Sequence, residues 1–455
     1  MLKKKGITLH ILVRILLSYC LFITIIIILN KHNGRLASFF IINLSALAAL
    51  AVLTFGLKKQ FGFNITRPIF IGYFIKLLIG YLFWEFYLFP DYFSNPISLF
   101  KFSHSEYLYT ESLMKTIALD RIANGFFYIL PETLYNKHTA IHYLMSNLYL
   151  SGSPNPLDIS VQNTLFSTYT AVIILAISKR LGATCRQMKF ALMVSIYQPF
   201  SMISSIIWRE VVGQFFVAVG GYLTLIALNK KGLAIIILLI VASLSMLMER
   251  FIYFFFPAIA YFAYVILQSR NKYQLLFLPI LAGILIFFNN YFYLTDELSS
   301  AYGSNITGFS LWVFLPINLV RLFIGPFPWY QWFNFTDNYI FQIADYFESV
   351  ISISLLILCI KGFKQKGFLT SESYSGSLLL FLLFIPFIFS GLGTVDIHQG
   401  YMTTAVIFLI PAVAFSTNNF RFNKLNLIIF FFFICANILY LLSGLSGSGS
   451  GTLFR

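Results

Sequence analysis

Two pairs of adjacent charged residues stand in short turns between apolar segments. The first pair is Arg209 and Glu210, and the second pair is Glu249 and Arg250. Two guanidinium groups held side by side can bind a pyrophosphate through bidentate hydrogen bonds. We therefore predict that Arg209 and Arg250, with Arg321 as a third cation, bind the phosphates of a lipid. A structural alternative stays open, in which Glu210 caps the following helix and the four charges form an ion-pair cluster.

Four side chains in or beside the predicted outer loops could accept a proton from a reacting hydroxyl group. That task needs a carboxylate or an imidazole within hydrogen-bonding reach of the substrate. The candidates are Asp91, Glu106, Glu210 and His398. For a loop acid such as Glu106 the alternative is a solvated carboxylate without a chemical role. For His398 the alternative is a phosphate ligand.

An aromatic segment, 325–332, suits carbohydrate binding. Its residues Trp329 and Trp332 could stack on the apolar C–H faces of a sugar, while Glu249 and Asp396 could bind sugar hydroxyls. The competing interpretation is the interfacial aromatic belt, because membrane proteins in general place Trp and Tyr at the two water interfaces. The sequence leaves both interpretations open.

The sequence lacks the motifs of nucleotide and zinc enzymes. It contains no GxxxxGK[ST], no GxGxxG that opens a helix and no HExxH. Its four cysteines have no CxxC spacing, so we predict neither a zinc site nor a disulfide. We expect no cofactor; a divalent cation is possible but has no support in the sequence. The substrate should therefore arrive already activated, from the lipid phase.

The composition indicates which kind of secondary structure must position these residues. Of 455 residues, 59% are hydrophobic and only 10% are charged, whereas soluble proteins average about 25% charged residues. This excludes a water-soluble enzyme and predicts an all-α, polytopic membrane helix bundle. Apolar runs of membrane-spanning length predict thirteen helices, near 10–30, 36–57, 68–90, 160–178, 190–207, 211–228, 232–248, 251–268, 275–292, 340–360, 377–392, 401–416 and 425–443.

Basic residues predict the orientation of these helices. The net charge is 31 − 16 = +15, and Lys and Arg concentrate in alternate short loops, which predicts a cytoplasmic N-terminus and a periplasmic C-terminus. Two outer loops, 91–159 and 293–339, are long and are predicted to hold re-entrant or interfacial helices at 138–150 and 306–325. One polytopic domain, 1–445, would precede a linker-like tail at 446–455.

Three passages resemble the lipid-carrier-dependent membrane glycosyltransferases of the bacterial envelope, namely the C-type (GT-C) superfamily and the O-antigen polymerases of the Wzy type. The first passage is the acidic loop segment His104-Ser-Glu106-Tyr. The last is the turn His398-Gln-Gly-Tyr401. The middle block runs from His142-Tyr-Leu-Met through Gln162-Asn163, Lys179-Arg180-Leu-Gly182 and Gln198-Pro199 to Trp208-Arg209-Glu210. Two features depart from the C-type pattern. Ser105 stands where an Asp is usual, and three predicted spans precede the acidic loop, where the C-type families usually have one.

The resemblance implies a surface-polysaccharide polymerase of the bacterial inner membrane, acting in O-antigen, lipopolysaccharide or capsule synthesis. Its donor and acceptor would be oligosaccharides on undecaprenyl pyrophosphate, and a chain-length-regulating membrane protein is a further expected partner; nucleic acid is not. Two alternatives stay open. One is a C-type transferase that adds a single sugar from a polyprenyl phosphate. The other is a flippase of lipid-linked oligosaccharides, which usually needs cations lining a central cavity. Charges within the apolar runs are sparse, essentially Lys76 and Glu85.

Overall fold

The computed structural model describes residues 7–29, 35–87, 112–125, 139–151, 156–197, 210–228, 230, 232–248 and 254–268. Within these ranges the regular structure is helical and no strand occurs, which confirms the predicted helical class. The helices are α1 (Ile7–Leu29), α2 (Arg35–Thr54), α3 (Leu57–Phe61), α4 (Thr66–Tyr87), α5 (112–124), α6 (Thr139–Met145), α7 (Pro156–Arg180), α8 (Cys185–Tyr197), α9 (Glu210–Ala227), α10 (Leu233–Leu247) and α11 (Phe256–Gln268).

Each of the first eight predicted spans contains a helix, and the largest differences at the start are at α7 and α8, which begin at Pro156 and Cys185 rather than near 160 and 190. Helix α7 begins at Pro156, a residue whose fixed φ and missing N–H suit the first helical position. Helix α8 begins at Cys185 because Thr184 and Gln187 form a capping box. The Gln187 amide N–H donates to Thr184 Oγ1 at 3.3 Å, and the Thr184 amide N–H donates to Gln187 Oε1 at 2.8 Å.

The first long loop contains two short helices. Helix α6 has seven residues and continues as the 3₁₀ turn Ser146–Ser151, so at about 1.5 Å per residue it is too short to cross a bilayer. His142 and Ser146 on it are fully buried. Helix α5 is not among the predicted helices, because its polar residues mask the short apolar face formed by Met114, Ile117 and Ala118.

Helix α7 is the centre of the described bundle. It contacts α1, α2, α4, α8 and α9, and its residues 158–178 are all buried. It ends in a Schellman motif, in which the Ala183 amide donates to the Ser178 carbonyl and the Gly182 amide to the Lys179 carbonyl, both at 3.0 Å. Gly182 makes this turn possible because its φ of 93° lies in the left-handed region.

Helix C-termini and basic side chains meet at one end of the bundle. Arg14 on α1 donates to the carbonyl of Phe55, just beyond the end of α2. Lys179 donates to the carbonyl of Gln60 on α3, and Arg180 donates to that of Leu225 on α9 at 3.1 Å. Each cation therefore satisfies carbonyls that a helix end leaves unpaired. We call this region the basic end, defined by Arg14, Lys179, Arg180 and the loop 55–63.

Helices α9 and α10 pack so closely that one position on their seam accepts only glycine. A Cβ atom on Gly220 would lie 2.5 Å from Met246 Cγ and 2.9 Å from the Ala242 carbonyl oxygen. Across the same seam, Ser245 Oγ donates to the Phe216 carbonyl at 2.8 Å. Small residues and hydroxyl groups of this kind hold helices together where no water drives association.

The described bundle carries many apolar side chains on its outside, and its largely hydrophobic interior also contains polar ones. Leu16 and Ile28 on α1 and Ile236 on α10 are more than half exposed, while Lys76 and Asp158 are buried. Two helical segments, His10–Leu29 and Asp158–Arg180, are long and apolar enough to cross a membrane, and three shorter apolar helices accompany them. This pattern supports a membrane protein.

Candidate functional site

The predicted outer-face site lies almost entirely outside the described residues. This holds for the candidate bases, the candidate phosphate ligands and the candidate sugar ligands, namely Asp91, Glu106, Arg209, Glu249, Arg250, Arg321, Trp329, Trp332, Asp396 and His398. Glu210 is the first residue of α9. Their roles therefore stay predictions. The described residues contain a different polar site, in the interior of the bundle.

The first half of α7 is polar on every side and yet buried. Its inaccessible polar residues, exposed by no more than 8%, are Asp158, Ser160, Gln162, Asn163, Thr164, Ser167, Thr168 and Thr170. The second half, 171–177, is aliphatic. Burying a polar group costs free energy unless a hydrogen bond replaces its water. A helix that buries this many polar groups beside a fully aliphatic half is typical of a functional polar interior.

Lys76 of α4 brings a positive charge to this polar interior. The side chain is 1% exposed, and its Nζ donates to Ser167 Oγ of α7 at 2.7 Å. One turn earlier on α4, the Tyr73 hydroxyl donates to Asn43 Oδ1 of α2 at 3.0 Å. The two contacts give α4 polar links to both α2 and α7, and they place an ammonium group where it can bind an anion or a hydroxyl.

Ser18 joins three helices through one hydroxyl group. Its Oγ donates to the Ala49 carbonyl of α2 at 2.6 Å and lies 2.8 Å from the Tyr169 hydroxyl of α7. Because the single Ser18 hydrogen is directed to Ala49, Tyr169 must donate to Ser18. The Tyr169 hydroxyl is thereby held in one orientation within the polar half of α7.

Arg121 of α5 is the second buried cation of the region, at 2% exposure. Its NH1 donates to the Tyr143 carbonyl at 3.0 Å and to Ser146 Oγ at 2.7 Å, and the guanidinium lies 4.1 Å from the centre of the Tyr143 ring. Burial lowers the pKa of Arg121, while the nearby Tyr143 and Tyr19 act in the opposite direction. The group stays cationic at neutral pH because the ordinary pKa of arginine is so high.

A chain of contacts connects this loop to α7. Asn147 Nδ2 donates to the Tyr19 hydroxyl of α1 at 3.1 Å, and the Tyr19 ring packs against Phe166 of α7 at 5.1 Å between centroids. One turn before Phe166 lies Gln162, whose buried amide, like Asn147 Oδ1, has no hydrogen-bond partner in the described structure. Amide groups beside aromatic rings are the groups that bind sugar hydroxyls and C–H faces.

We call this set the α7 polar core: Tyr19, Lys76, Arg121, His142, Ser146, Asn147, Asp158, Gln162, Asn163, Thr164, Ser167 and Tyr169. Chemically it offers two cations together with hydroxyl and amide groups, which suits a substrate carrying both phosphate and sugar. Within the described ranges, no three His, Cys, Asp or Glu side chains cluster as metal ligands would.

The structure divides the middle block of the family resemblance into two parts. His142, Gln162 and Asn163 belong to the α7 polar core, whereas Lys179 and Gly182 form the end of α7. Sequence reasoning singled out Lys76 as a rare charge within an apolar run but missed Arg121, Ser146 and Asn147. Ser146 and Asn147 lie in the short apolar stretch 138–150, which the sequence did mark as unusual, and Arg121 of α5 contacts that stretch.

Comparison of the chain with protein-family models, with curated protein sequences and with solved structures found no match.

Proposed function

We propose that the protein is a membrane glycosyltransferase that joins oligosaccharides carried on undecaprenyl pyrophosphate, and so acts as a polymerase of a surface polysaccharide. The observation that carries the proposal is the α7 polar core within a bundle whose outer surface is apolar. A lipid-linked sugar has the same division, since its tail needs lipid while its phosphates and hydroxyls need cations and hydrogen-bond partners. The resemblance of residues 100–230 to envelope glycosyltransferases supports the same class.

The proposed reaction moves one sugar chain between two lipids at the periplasmic face. A hydroxyl of the acceptor forms a bond to the anomeric carbon of the donor, and the bond from that carbon to the pyrophosphate breaks. The departing lipid pyrophosphate would be neutralised by Arg209, Arg250 and Arg321. The acceptor proton would pass to Asp91, Glu106, Glu210 or His398. Trp329, Trp332, Glu249 and Asp396 would hold the sugars, and no metal takes part.

The proposal places the chain in the bacterial inner membrane with thirteen spans. The basic end would face the cytoplasm, since Lys and Arg are retained on that side. The N-terminus would then be cytoplasmic and the C-terminus periplasmic. A membrane protein that regulates chain length is the expected protein partner.

The decisive experiment compares products from purified protein and from a deletion strain. A polymerase releases free undecaprenyl pyrophosphate from lipid-linked oligosaccharide, and its deletion leaves single-repeat chains. Arg209→Ala and Arg250→Ala variants should lose polymer at unchanged protein level; full-length polymer in both would refute the phosphate-binding role. A deletion that leaves long chains lacking one branch would instead indicate the single-sugar C-type transferase.

Buried Lys76 is the observation that favours a second candidate, a flippase of lipid-linked oligosaccharides. A flippase needs cations along a path through the membrane, and Lys76 lies inside the bundle rather than at an end. The two functions differ in a single product. Reconstituted flippase moves the intact lipid-linked substrate across vesicles, whereas only a transferase releases free lipid pyrophosphate.

A further inference from the structure

The described cations at the basic end and in the adjoining first turns of α4 and α8 include two groups. Arg14, Lys179 and Arg180 each donate to backbone carbonyls at helix ends. Lys59, Arg67 and Lys189 are instead exposed to solvent. The first group stabilises the fold, whereas the second presents its charge outward. We call Lys59, Arg67 and Lys189 the basic patch.

The three residues of the basic patch belong to segments that meet at one turn, 62–65, between α3 and α4. Lys189 Nζ lies 5.6 Å from the centre of the Phe63 ring, and Cys185 Sγ lies 3.8 Å from the Gly62 carbonyl oxygen. These contacts hold the first turn of α8 against 62–65. Lys59 precedes that turn on α3, and Arg67 follows it on α4.

A stripe of exposed apolar side chains begins below Arg67. Ile71, Phe74 and Leu78 are 42%, 50% and 56% exposed, and they follow Arg67 by four, seven and eleven residues. That spacing puts all four on one face of α4. Eleven residues of helix rise about 16 Å, which is about half of the 30 Å hydrocarbon core and therefore matches one leaflet.

We infer that the basic patch and this stripe together bind an anionic phospholipid. The headgroup phosphate would lie among Lys59, Arg67 and Lys189, and an acyl chain would lie along Ile71, Phe74 and Leu78. A cationic site above an apolar stripe of one-leaflet length fits a molecule with a charged head and an apolar tail better than a soluble anion. The inference rests on the membrane placement of the chain and not on the transferase reaction.

The test measures thermal unfolding of the purified full-length protein in detergent, with added phosphatidylglycerol or phosphatidylcholine. Phosphatidylglycerol should raise the Tm by about 4 °C more than phosphatidylcholine, the size expected for one occupied site. The triple variant Lys59→Gln, Arg67→Gln, Lys189→Gln should lose that difference. The charge-conserving triple variant Lys59→Arg, Arg67→Lys, Lys189→Arg should keep most of it.

Two controls separate this site from other sources of the effect. Lys230→Gln removes an exposed cation from the α9–α10 turn and should leave the lipid shift unchanged. Glycerol 3-phosphate, which has the anionic head without the acyl chains, should give no shift at equal concentration. The inference is overturned if the neutral triple variant keeps the lipid shift, or if glycerol 3-phosphate reproduces it, which would indicate a site for free anions. Neither outcome bears on transferase activity.

Discussion

Lys76 holds an ammonium group against Ser167 in the centre of the helix bundle, at 2.7 Å. A charge at such a position is costly to bury, and proteins keep it mainly where it serves a function. We expect Lys76→Met to preserve folding, because methionine has a similar length and carries no charge. Polymer synthesis should fall about tenfold or more, since one hydrogen bond from a charged donor is worth about 1.5 kcal/mol. The measurement is polymer made by a complemented deletion strain.

Lys230→Met is the matched control for this variant, because Lys230 is an exposed cation on the α9–α10 turn. It should leave polymer unchanged at equal protein level. Normal polymer from the Lys76→Met strain would show that polymer synthesis does not need Lys76 of the α7 polar core.

Tyr169 contributes to stability through a hydroxyl that donates to Ser18. We expect Tyr169→Phe to destabilise the protein by about 1 kcal/mol, because the Ser18 oxygen would lose its donor while still donating to Ala49. Thermal unfolding in detergent measures the loss. Tyr261→Phe removes a hydroxyl from the partly exposed Tyr261 of α11 and should change stability little. Equal effects of the two variants would contradict the three-helix role of Ser18.

Sequence reasoning found individual residues only where local context made them unusual. Lys76 was conspicuous because it interrupts an apolar run. Arg121 was not, because it lies in a loop rich in charges, and its burial depends on α6 folding over it. The polar groups of α7 are visible in the sequence, but the sequence of a helix does not show whether its polar residues contact water or other helices. Burial of all its faces is a tertiary property.

At the scale of elements, each of the first eight apolar runs contains a described helix, because a long apolar run without turn residues favours a helix. Their ends were less accurate, since local hydrogen bonds rather than hydropathy determine them. Helix α8 begins at the Thr184 capping box, several residues before its apolar run. Helix α5 escaped detection because its buried face is short and its other residues are polar.

The α9–α10 seam yields a prediction about helix packing. Gly220→Ala places a methyl group against Met246 and the Ala242 carbonyl, so we expect a loss of about 1–3 kcal/mol from overpacking. In the double variant Gly220→Ala/Met246→Ala, the side chain that the new methyl group would meet is shorter. The double variant should therefore lose less stability than the two single variants lose in sum. Thermal unfolding of the four proteins measures this coupling.

Ala234→Val is a suitable control for this series, because it enlarges an exposed position of α10 away from Gly220. It should have little effect. Strict additivity of Gly220→Ala and Met246→Ala would mean that the two side chains do not meet, and the seam would then be packed differently.

For the whole molecule, the described structure differs from a water-soluble protein in its apolar outer surface and in the polar residues that its core contains. Exposed side chains such as Leu16 and Phe40 are apolar, whereas the centre holds Lys76 and the polar half of α7. A side chain that is exposed on the surface of this bundle can therefore face either water or lipid. The two described cysteines, Cys20 and Cys185, are both exposed and free, and they can distinguish these two cases.

Cys20 lies midway along the apolar helix α1, and Cys185 begins α8 at the basic end. In a variant with Cys359 and Cys435 replaced by Ser, a membrane-impermeant maleimide should label Cys185 in inside-out vesicles only. Cys20 should react from neither side until detergent removes the lipid. Cys185→Ser and Cys20→Ser assign the signals. Labelling of Cys20 in intact vesicles would contradict the lipid-facing position of α1, and labelling of Cys185 from the outside would reverse the orientation on which the proposed periplasmic reaction depends.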